Sequence, residues 1–262
     1  MSLPEDGGQG LVTVVTGASR GIGRAVARTV ARRGGHVVIN YKQDEEAARS
    51  ALEEVEKAGG HGCLCRADIE DSEQTAELFA FVEGRFGRLD HLVANAAAGP
   101  VKTVDQVEPR HLVRSHAMNS QSFVIAAQSA VRLMDRGGRI VAISSLASGR
   151  AIPGYAAIGA QKAALEAWAR YFAAELAPRR VNVNVVTGGM ITTDSLGHYL
   201  KATGLTADDI VPHIPKGRPG SPQEVADAVD FLLSAAAEYI TGQNLVVDGG
   251  LSITAPFCGH PC

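Results

Sequence analysis

Short apolar runs along the chain alternate with longer amphipathic segments. The runs hold few polar residues, which is typical of strands covered on both faces of a parallel sheet. The longer segments carry apolar residues at helical spacing and end at glycine or proline. The predicted strands are residues 11–16, 37–40, 63–67, 89–94, 139–144, 181–186 and 244–247. The predicted helices are residues 22–34, 44–58, 72–86, 155–177 and 222–236, and residues 105–135 form either one long helix or a broken pair.

This alternation predicts βαβ units, and therefore an α/β protein with a doubly wound, seven-stranded parallel sheet between two layers of helices. No change of composition divides the chain, so we predict a single domain over residues 11–252. We expect residues 1–10 to be a disordered leader and residues 253–262 to be a C-terminal tail. Residues 188–221 follow neither pattern, and a long irregular stretch in a compact domain is usually functional. We expect this segment to be a substrate lid.

The composition excludes several classes of protein. With 45% hydrophobic and 20% charged residues and a net charge of −3, the chain is neither disordered nor basic enough to bind nucleic acid or a membrane surface non-specifically. It has no membrane-spanning run and no signal peptide, so we expect a cytoplasmic protein. Cys258, His260 and Cys262 offer three soft ligands, but their spacing fits no familiar zinc pattern and we expect no metal.

A glycine-rich turn joins the first predicted strand to the first predicted helix. Glycines at 17, 21 and 23 let the backbone turn tightly and approach a pyrophosphate, which the free N–H groups of the helix then bind. A tight turn with no ligand is the alternative, which the complete βαβ context disfavours. The candidate contacts are Gly17, Ser19, Arg20, Gly21, Ile22 and Gly23.

The end of the second strand indicates which dinucleotide is bound. A site for NAD usually carries an acidic residue there, for the ribose 2′-hydroxyl. This chain has Asn40, Tyr41 and Lys42 instead, and Arg20 lies in the glycine turn. Two cations suit a 2′-phosphate, so the sequence favours NADPH over NADH. Alternatively, Arg20 pairs only with a local carboxylate.

The spacing Thr-Gly-x-x-x-Gly-x-Gly resembles that of the short-chain dehydrogenase/reductase family, and the resemblance covers about residues 11–252. It implies a Rossmann-type fold and assigns further residues. Asp68 and Ile69 look like the adenine contacts, Asn95-Ala96-Ala97 resembles the family's Asn-Ala-Gly, and Asn119 and Ser145 resemble two members of its catalytic tetrad. The segment Gly188-Gly189-Met190-Ile191-Thr192-Thr193 resembles Pro-Gly-x-Ile-x-Thr, which adds Gly188, Gly189, Ile191 and Thr193 to the cofactor contacts.

One departure from the family pattern bears on the chemistry. Most members carry Tyr-x-x-x-Lys, but four residues before Lys162 this chain has Ile158, which cannot donate a proton. The nearest tyrosine is Tyr155, and seven residues separate the pair by ~10 Å along a helix. From the helix entrance Tyr155 can reach an oxygen farther from the lysine, such as a carbonyl conjugated to the carbon that receives hydride. The geometry therefore favours reduction of an enoyl group over reduction of a ketone.

Tyr-x6-Lys is the pattern of the short-chain-type enoyl-acyl-carrier-protein reductases, and the surrounding residues resemble the NADPH-dependent type III enzymes. The resemblance implies hydride transfer from NADPH to the β-carbon of an α,β-unsaturated acyl thioester, carried by acyl carrier protein or CoA. Tyr155 then stabilises the enolate, Lys162 positions the ribose, and Ser145 is a secondary donor. It also implies an oligomer, a tetramer or a dimer, and we expect a homotetramer.

Several of these residues have alternative interpretations without a catalytic role, and the function has alternatives too. Tyr155 could be a packing residue, Asn119 a buried structural asparagine, and Ser144 or Ser148 could replace Ser145. The protein could instead be a ketoreductase of a natural-product or quinone pathway, since one fold supports both reactions. It could also be a non-catalytic NADPH-binding scaffold, because Ile158 stands where the family's tyrosine usually does.

Overall fold

The computed structural model describes residues 10–254. Within them, seven strands form one parallel sheet in the order β3-β2-β1-β4-β5-β6-β7. The predicted fold class is confirmed, with strand ends shifted by up to two residues. The strands are β1 Val12–Val15, β2 His36–Tyr41, β3 His61–Arg66, β4 His91–Ala94, β5 Gly138–Ser145, β6 Val181–Gly188 and β7 Asn244–Val247.

Helices cover both faces of the sheet. The side chains of α1, α2 and α9 pack in one apolar cluster with one face of the strands, and those of α3, α5 and α6 pack in a second cluster on the other face. The result is a three-layer α/β/α sandwich. The helices are α1 Gly21–Ala31, α2 Glu45–Lys57, α3 Ser72–Phe86, α4 Pro109–Ser115, α5 Ser122–Arg132, α6 Ala156–Leu176, α7 Asp194–Thr203, α8 Ala207–Ile210 and α9 Pro222–Leu233.

The helical region predicted over residues 105–135 is a broken pair of helices rather than one long helix. A π-helical segment, His116–Gln121, joins α4 to α5. Side chains bond back to carbonyls of the preceding turn here: Ser122 Oγ donates to Met118 O and Asn119 Nδ2 donates to Ser115 O. Wide helical turns of this kind occur often at functional sites, and this one carries Asn119.

The segment 188–221 is less irregular than its sequence suggested. It contains α7, capped by Thr193 Oγ1 accepting from Leu196 N, and the shorter α8, whose capping box joins Thr206 and Asp209. The apolar pattern was too short in each piece to stand out from the surrounding loop. Residues 1–9 of the predicted leader and residues 255–262, with Cys258, His260 and Cys262, lie outside the described residues.

The sheet topology places a crevice at one edge of the sheet. Strand β1 lies between β2 and β4, so the connections leave β1 and β4 in opposite directions. In open parallel sheets, ligands bind beyond the carboxyl ends of the strands at such a switch point. The glycine turn after β1 and Asn95 after β4 both lie there.

Candidate active site

The glycine turn has the conformation and the clearance of a phosphate-binding loop. Gly17 and Gly21 adopt φ angles of +62° and +56°, in the left-handed region that favours glycine. A Cβ on Gly23 would lie 2.4 Å from Gly17 O and 2.5 Å from Asn95 Nδ2, so only glycine fits at the start of α1. Helix α1 begins at Gly21 in this turn, so its first N–H groups lie at the end of the sheet where an anion would bind.

Two asparagines brace this turn from opposite sides. Asn95 Nδ2 donates to Thr16 O at 2.9 Å and to Gly17 O at 3.1 Å. Asn40 Oδ1 accepts from Gly17 N at 3.3 Å, and its amide nitrogen donates to Ala67 O at 3.0 Å. Thr16 Oγ1 accepts from the backbone of both Asn95 and Ala96. The side chains of Asn40 and Asn95 thus hold the loop rather than extend from it.

Both cations predicted for the 2′-phosphate are paired with carboxylates. Lys42 Nζ lies 2.6 Å from Asp68 Oδ2 and 2.8 Å from Glu70 Oε2, and these hydrogen bonds raise its pKa. Arg20 lies 3.7 Å from Asp194 at the start of α7, with both side chains mostly exposed. The local pairing considered for Arg20 is therefore present, but an exposed contact of this kind is weak and easily exchanged for another anion.

A largely apolar pocket of about 150 Å³ opens beside the ends of β5 and β6. Tyr155 and Ser145 line it, and so do the predicted cofactor contacts Gly188, Gly189 and Ile191. Helix α7, from the segment predicted to be a lid, lines one side of the pocket. The remaining lining residues are Ile22, Ser144, Leu146, Ile152, Met190, Thr193, Ser195, Leu196 and Tyr199.

Tyr155 is the N-cap residue of α6, so its backbone lies just outside the helix. Its ring packs edge-on against Tyr199 from α7, with centroids 5.8 Å apart and planes at 87°. The Tyr199 hydroxyl donates to Pro153 O at 3.3 Å, which fixes the second ring. Burial raises the pKa of Tyr155, and the nearby Tyr199 raises it further. At neutral pH Tyr155 is thus a protonated donor that faces an apolar pocket.

Lys162 lies behind the pocket, almost fully buried on α6. Its Nζ donates to Ile143 O at 2.7 Å, and an ammonium has two more hydrogens to offer. Burial lowers its pKa to about 8, against the opposing effect of Glu166. Ile158 is also buried, at 5% exposure, and its Cγ1 would lie 2.4 Å from a Cβ on Gly99. A tightly packed isoleucine therefore occupies the position where most members of the family have a tyrosine.

The rival serines differ in what their hydroxyls do. Ser145 Oγ accepts from Ala147 N at 3.3 Å, so its hydrogen is free to point at a ligand in the pocket. Ser144 Oγ donates to Glu166 Oε1 at 2.6 Å, and its hydrogen is therefore already used. Ser145 is accordingly the better donor of the two.

Asn119 does not lie in the pocket that Tyr155 lines. It borders a separate cavity of about 10 Å³ with Thr16 and Ala96. Its Nδ2 donates to Ala98 O and Ser115 O, both at 2.8 Å, while its buried Oδ1 lacks a partner in the part of the chain that the structure describes. The structural alternative for Asn119 therefore has direct support, and Oδ1 remains available to a water.

Sequence reasoning missed two parts of the site. The edge-on contact of Tyr199 with Tyr155 depends on how α7 folds over the pocket, and no local pattern signals it. The bond between Ser144 and Glu166 had a partial signal, because Glu166 follows Lys162 by four residues and shares its helix face.

Comparisons with known proteins show the family to which the chain belongs. The sequence pattern of the family described as enoyl-(acyl carrier protein) reductase matches residues 17–252. A 1-cyclohexenylcarbonyl-CoA reductase from Streptomyces collinus is 54% identical over 246 residues, which is 94% of this chain and 88% of that one. An acetoin dehydrogenase from Enterobacter cloacae is 31% identical in sequence, with a TM-score of 0.86 over 96% of this chain and 99% of that one.

A third relative carries a cofactor. The structure of an angucycline C-6 ketoreductase with bound NADP superposes with a TM-score of 0.87 at 31% identity, covering 94% of this chain and 97% of that one. The chain belongs to the short-chain dehydrogenase/reductase family and is an oxidoreductase of the kind that uses a nicotinamide dinucleotide. Among residues 10–254, no helix is both long and apolar enough to span a membrane.

Proposed function

We propose that the protein is an NADPH-dependent reductase of the carbon–carbon double bond in an α,β-unsaturated acyl thioester, with CoA as the carrier. The observation that carries this proposal is the position of the phenol. Tyr155 lines the pocket from outside the first turn of α6, whereas the position four residues before Lys162 is a buried isoleucine. The conjugated oxygen of a thioester lies farther from the reacting carbon than a ketone oxygen does, and this displaced phenol suits it.

The residues at the switch point fit a dinucleotide. Gly23 packs so closely on Gly17 O and Asn95 Nδ2 that a Cβ would clash with both, and the side chains of Asn40 and Asn95 hold the turn in this shape. When bound, the cofactor supplies the hydride for the β-carbon of the acyl group. Lys162, with two free ammonium hydrogens, would hold the nicotinamide ribose, and Gly188, Gly189 and Ile191 would line the nicotinamide end.

Tyr155 would act on the oxygen where negative charge develops. A neutral phenol in a largely apolar pocket donates a strong hydrogen bond to an enolate, or gives it a proton. Ser145 would donate a second hydrogen bond from the end of β5. Lys162 would keep a positive charge near the developing anion, which lowers the cost of forming it.

The pocket favours a compact acyl group. At about 150 Å³, a volume that the acyl group would share with the nicotinamide, it is smaller than the 300–1,000 Å³ typical of sites for drug-sized ligands. Its Ile152, Leu196 and Tyr199 side chains suit an alicyclic or short aliphatic group, and the Streptomyces relative is named for a cyclic enoyl-CoA. Acyl carrier protein is the alternative carrier.

The direct test compares two thioesters. With purified protein and NADPH, we expect absorbance at 340 nm to fall with crotonyl-CoA or 1-cyclohexenylcarbonyl-CoA and to stay nearly constant with acetoacetyl-CoA. The solved relatives include a ketoreductase, so the keto substrate is the informative competitor. Consumption with acetoacetyl-CoA alone would refute the proposal in favour of ketone reduction. No consumption at all, with NADPH binding intact, would favour a non-catalytic role.

If Lys42 binds the 2′-phosphate, its removal should weaken the binding of NADPH but not that of NADH. Removing its ammonium with Lys42→Ala should raise the dissociation constant for NADPH by about tenfold, since one exposed charge-assisted hydrogen bond is lost. NADH, without the 2′-phosphate, should be nearly unaffected. Fluorescence titration with each cofactor measures this, and Lys57→Ala, at an exposed site on α2, is the control. Equal weakening of both cofactors would contradict the assignment of Lys42 to the phosphate.

We also propose a cytoplasmic homotetramer. Several large apolar side chains lie exposed on α4 and α6: Leu112 at 51%, Val113 at 70%, Trp168 at 45% and Tyr171 at 65%. Large apolar side chains exposed on neighbouring helices often mark an interface. Light scattering should give a mass near four times 27.4 kDa, and a mass near the monomer value would contradict the proposal.

A further inference from the structure

Two consecutive residues at the end of β5 are tied to consecutive turns of α6. Ile143 O accepts from Lys162 Nζ at 2.7 Å, and Ser144 Oγ donates to Glu166 Oε1 at 2.6 Å. Because Lys162 and Glu166 are four residues apart, their side chains leave the same face of the helix. The pair of bonds forms a two-rung bridge between the sheet and the helix that carry the site.

The bridge lies beside the reacting groups. The residue after Ser144 is Ser145, which lines the pocket, and α6 begins beside Tyr155. A shift of the strand end would move the Ser145 hydroxyl, and a positional error of an ångström in a catalytic group can cost a large factor in rate. Glu166 fixes this strand end through Ser144.

Glu166 also has an electrostatic role. Lys162 is buried, with 5% of its surface exposed. Burying a cation costs free energy unless a carboxylate compensates its charge. Glu166 is the carboxylate whose charge opposes the effect of that burial. Lys162 therefore keeps its proton to a higher pH than burial alone would allow.

The other elements packed against α6 bring few ionisable groups to this point. Strand β6 and the short helix Leu146–Ser148 contain none, and β5 has Arg139 at its opposite end, buried and paired with Glu238. The π-helical segment contributes His116, whose Nδ1 lies 3.2 Å from Gln161 Oε1. Helices α4 and α5 carry Arg110, His111, Arg114 and Arg132, and the short helix Ala177–Arg179 carries Arg179 at the C-terminal end of α6.

We propose that Glu166 is a positioning residue of this enzyme: through Ser144 it fixes the end of β5 beside the pocket, and through its charge it keeps Lys162 an ammonium. This inference rests on the proposed reduction, in which Lys162 acts as a cation. Glu166 itself touches neither substrate nor cofactor in this assignment.

Two variants separate the two roles. Glu166→Gln keeps an oxygen that can accept from Ser144 but removes the charge. Without that charge the pKa of Lys162 falls below its present value of about 8, so the alkaline limb of kcat/KM should move to lower pH by about one unit. At pH 6, where Lys162 stays protonated in both proteins, the rate should change by less than about threefold. Ser144→Ala keeps the charge and should lower kcat at every pH by about tenfold without moving the limb.

The control is Glu175→Gln, which changes an exposed carboxylate farther along α6.

A second experiment measures the titration of Lys162 without measuring enzyme activity. It follows the ¹³Cε resonance of Lys162 in lysine-labelled protein without cofactor, and the resonance is assigned with Lys162→Met. Its titration midpoint should fall in Glu166→Gln and not in Glu175→Gln. An unchanged midpoint would overturn the inference even if the enzyme reduces enoyl thioesters. A lowered midpoint in a protein without enoyl reductase activity would support the electrostatic role and count against the proposed function instead.

Discussion

Tyr155→Phe is expected to lower kcat/KM for an enoyl-CoA by about 10²–10³-fold, the usual effect of removing one preorganised donor from a developing oxyanion. The loss should fall mainly on kcat, because the donor acts most strongly on the charge of the transition state. The phenyl ring retains the edge-on contact with Tyr199, whose centroid lies 5.8 Å away. Packing at the helix entrance is therefore preserved.

Tyr199→Phe is the matched control. It removes the hydroxyl that donates to Pro153 O, but keeps a ring at the same pocket wall. We expect its rate to fall by less than about tenfold, since it removes one neutral hydrogen bond away from the reacting oxygen. Both variants should bind NADPH with unchanged affinity and melt near the wild-type temperature. If Tyr155→Phe retained most of its activity, the phenol would be a packing residue, and another donor such as Ser145 would carry the chemistry.

Gly23→Ala is expected to weaken NADPH binding by about two orders of magnitude, the equivalent of two or more lost hydrogen bonds to phosphate. Its Cβ would lie 2.4 Å from Gly17 O, so the backbone of the turn has to move, and with it the N–H groups at the start of α1. The same overpacking should lower the free energy of unfolding by about 1–3 kcal/mol.

Gly84→Ala provides the comparison for this change. Gly84 lies within α3, where an added Cβ meets nothing within 4 Å. Alanine there should stabilise the protein by about 0.5–1 kcal/mol, because glycine is the poorer helix former. Cofactor titration and thermal melts on both variants test the pair. NADPH binding by Gly23→Ala at wild-type strength would show that the turn does not carry the pyrophosphate.

Much of the fold could be predicted because its determinants are local. The buried strands in the middle of the sheet appear as apolar runs, and the parallel order follows from the helices between the strands. The glycine turn is also visible locally, since a left-handed φ at Gly17 and Gly21 and the contact at Gly23 each require glycine. The placement of Tyr155 outside the first turn of α6 follows from Pro153 and Gly154 before it.

What could not be predicted depends on contacts between distant segments. The ion pairs of Lys42 join the end of β2 to Asp68 and Glu70 after β3. The bond from Ser144 to Glu166 spans 22 residues, and the contact of Tyr155 with Tyr199 depends on the folding of α7. The π-helical turn around Asn119 depends on side-chain hydrogen bonds that a periodic pattern does not encode.

The most direct test of the account follows the hydride itself. Protein is incubated with each C4 epimer of [4-²H]NADPH and an equal mixture of 1-cyclohexenylcarbonyl-CoA and acetoacetyl-CoA, and the label is located by NMR. The account predicts that one epimer delivers deuterium to the β-carbon of the saturated acyl-CoA. Deuterium found instead only on the carbinol carbon of 3-hydroxybutyryl-CoA would contradict it.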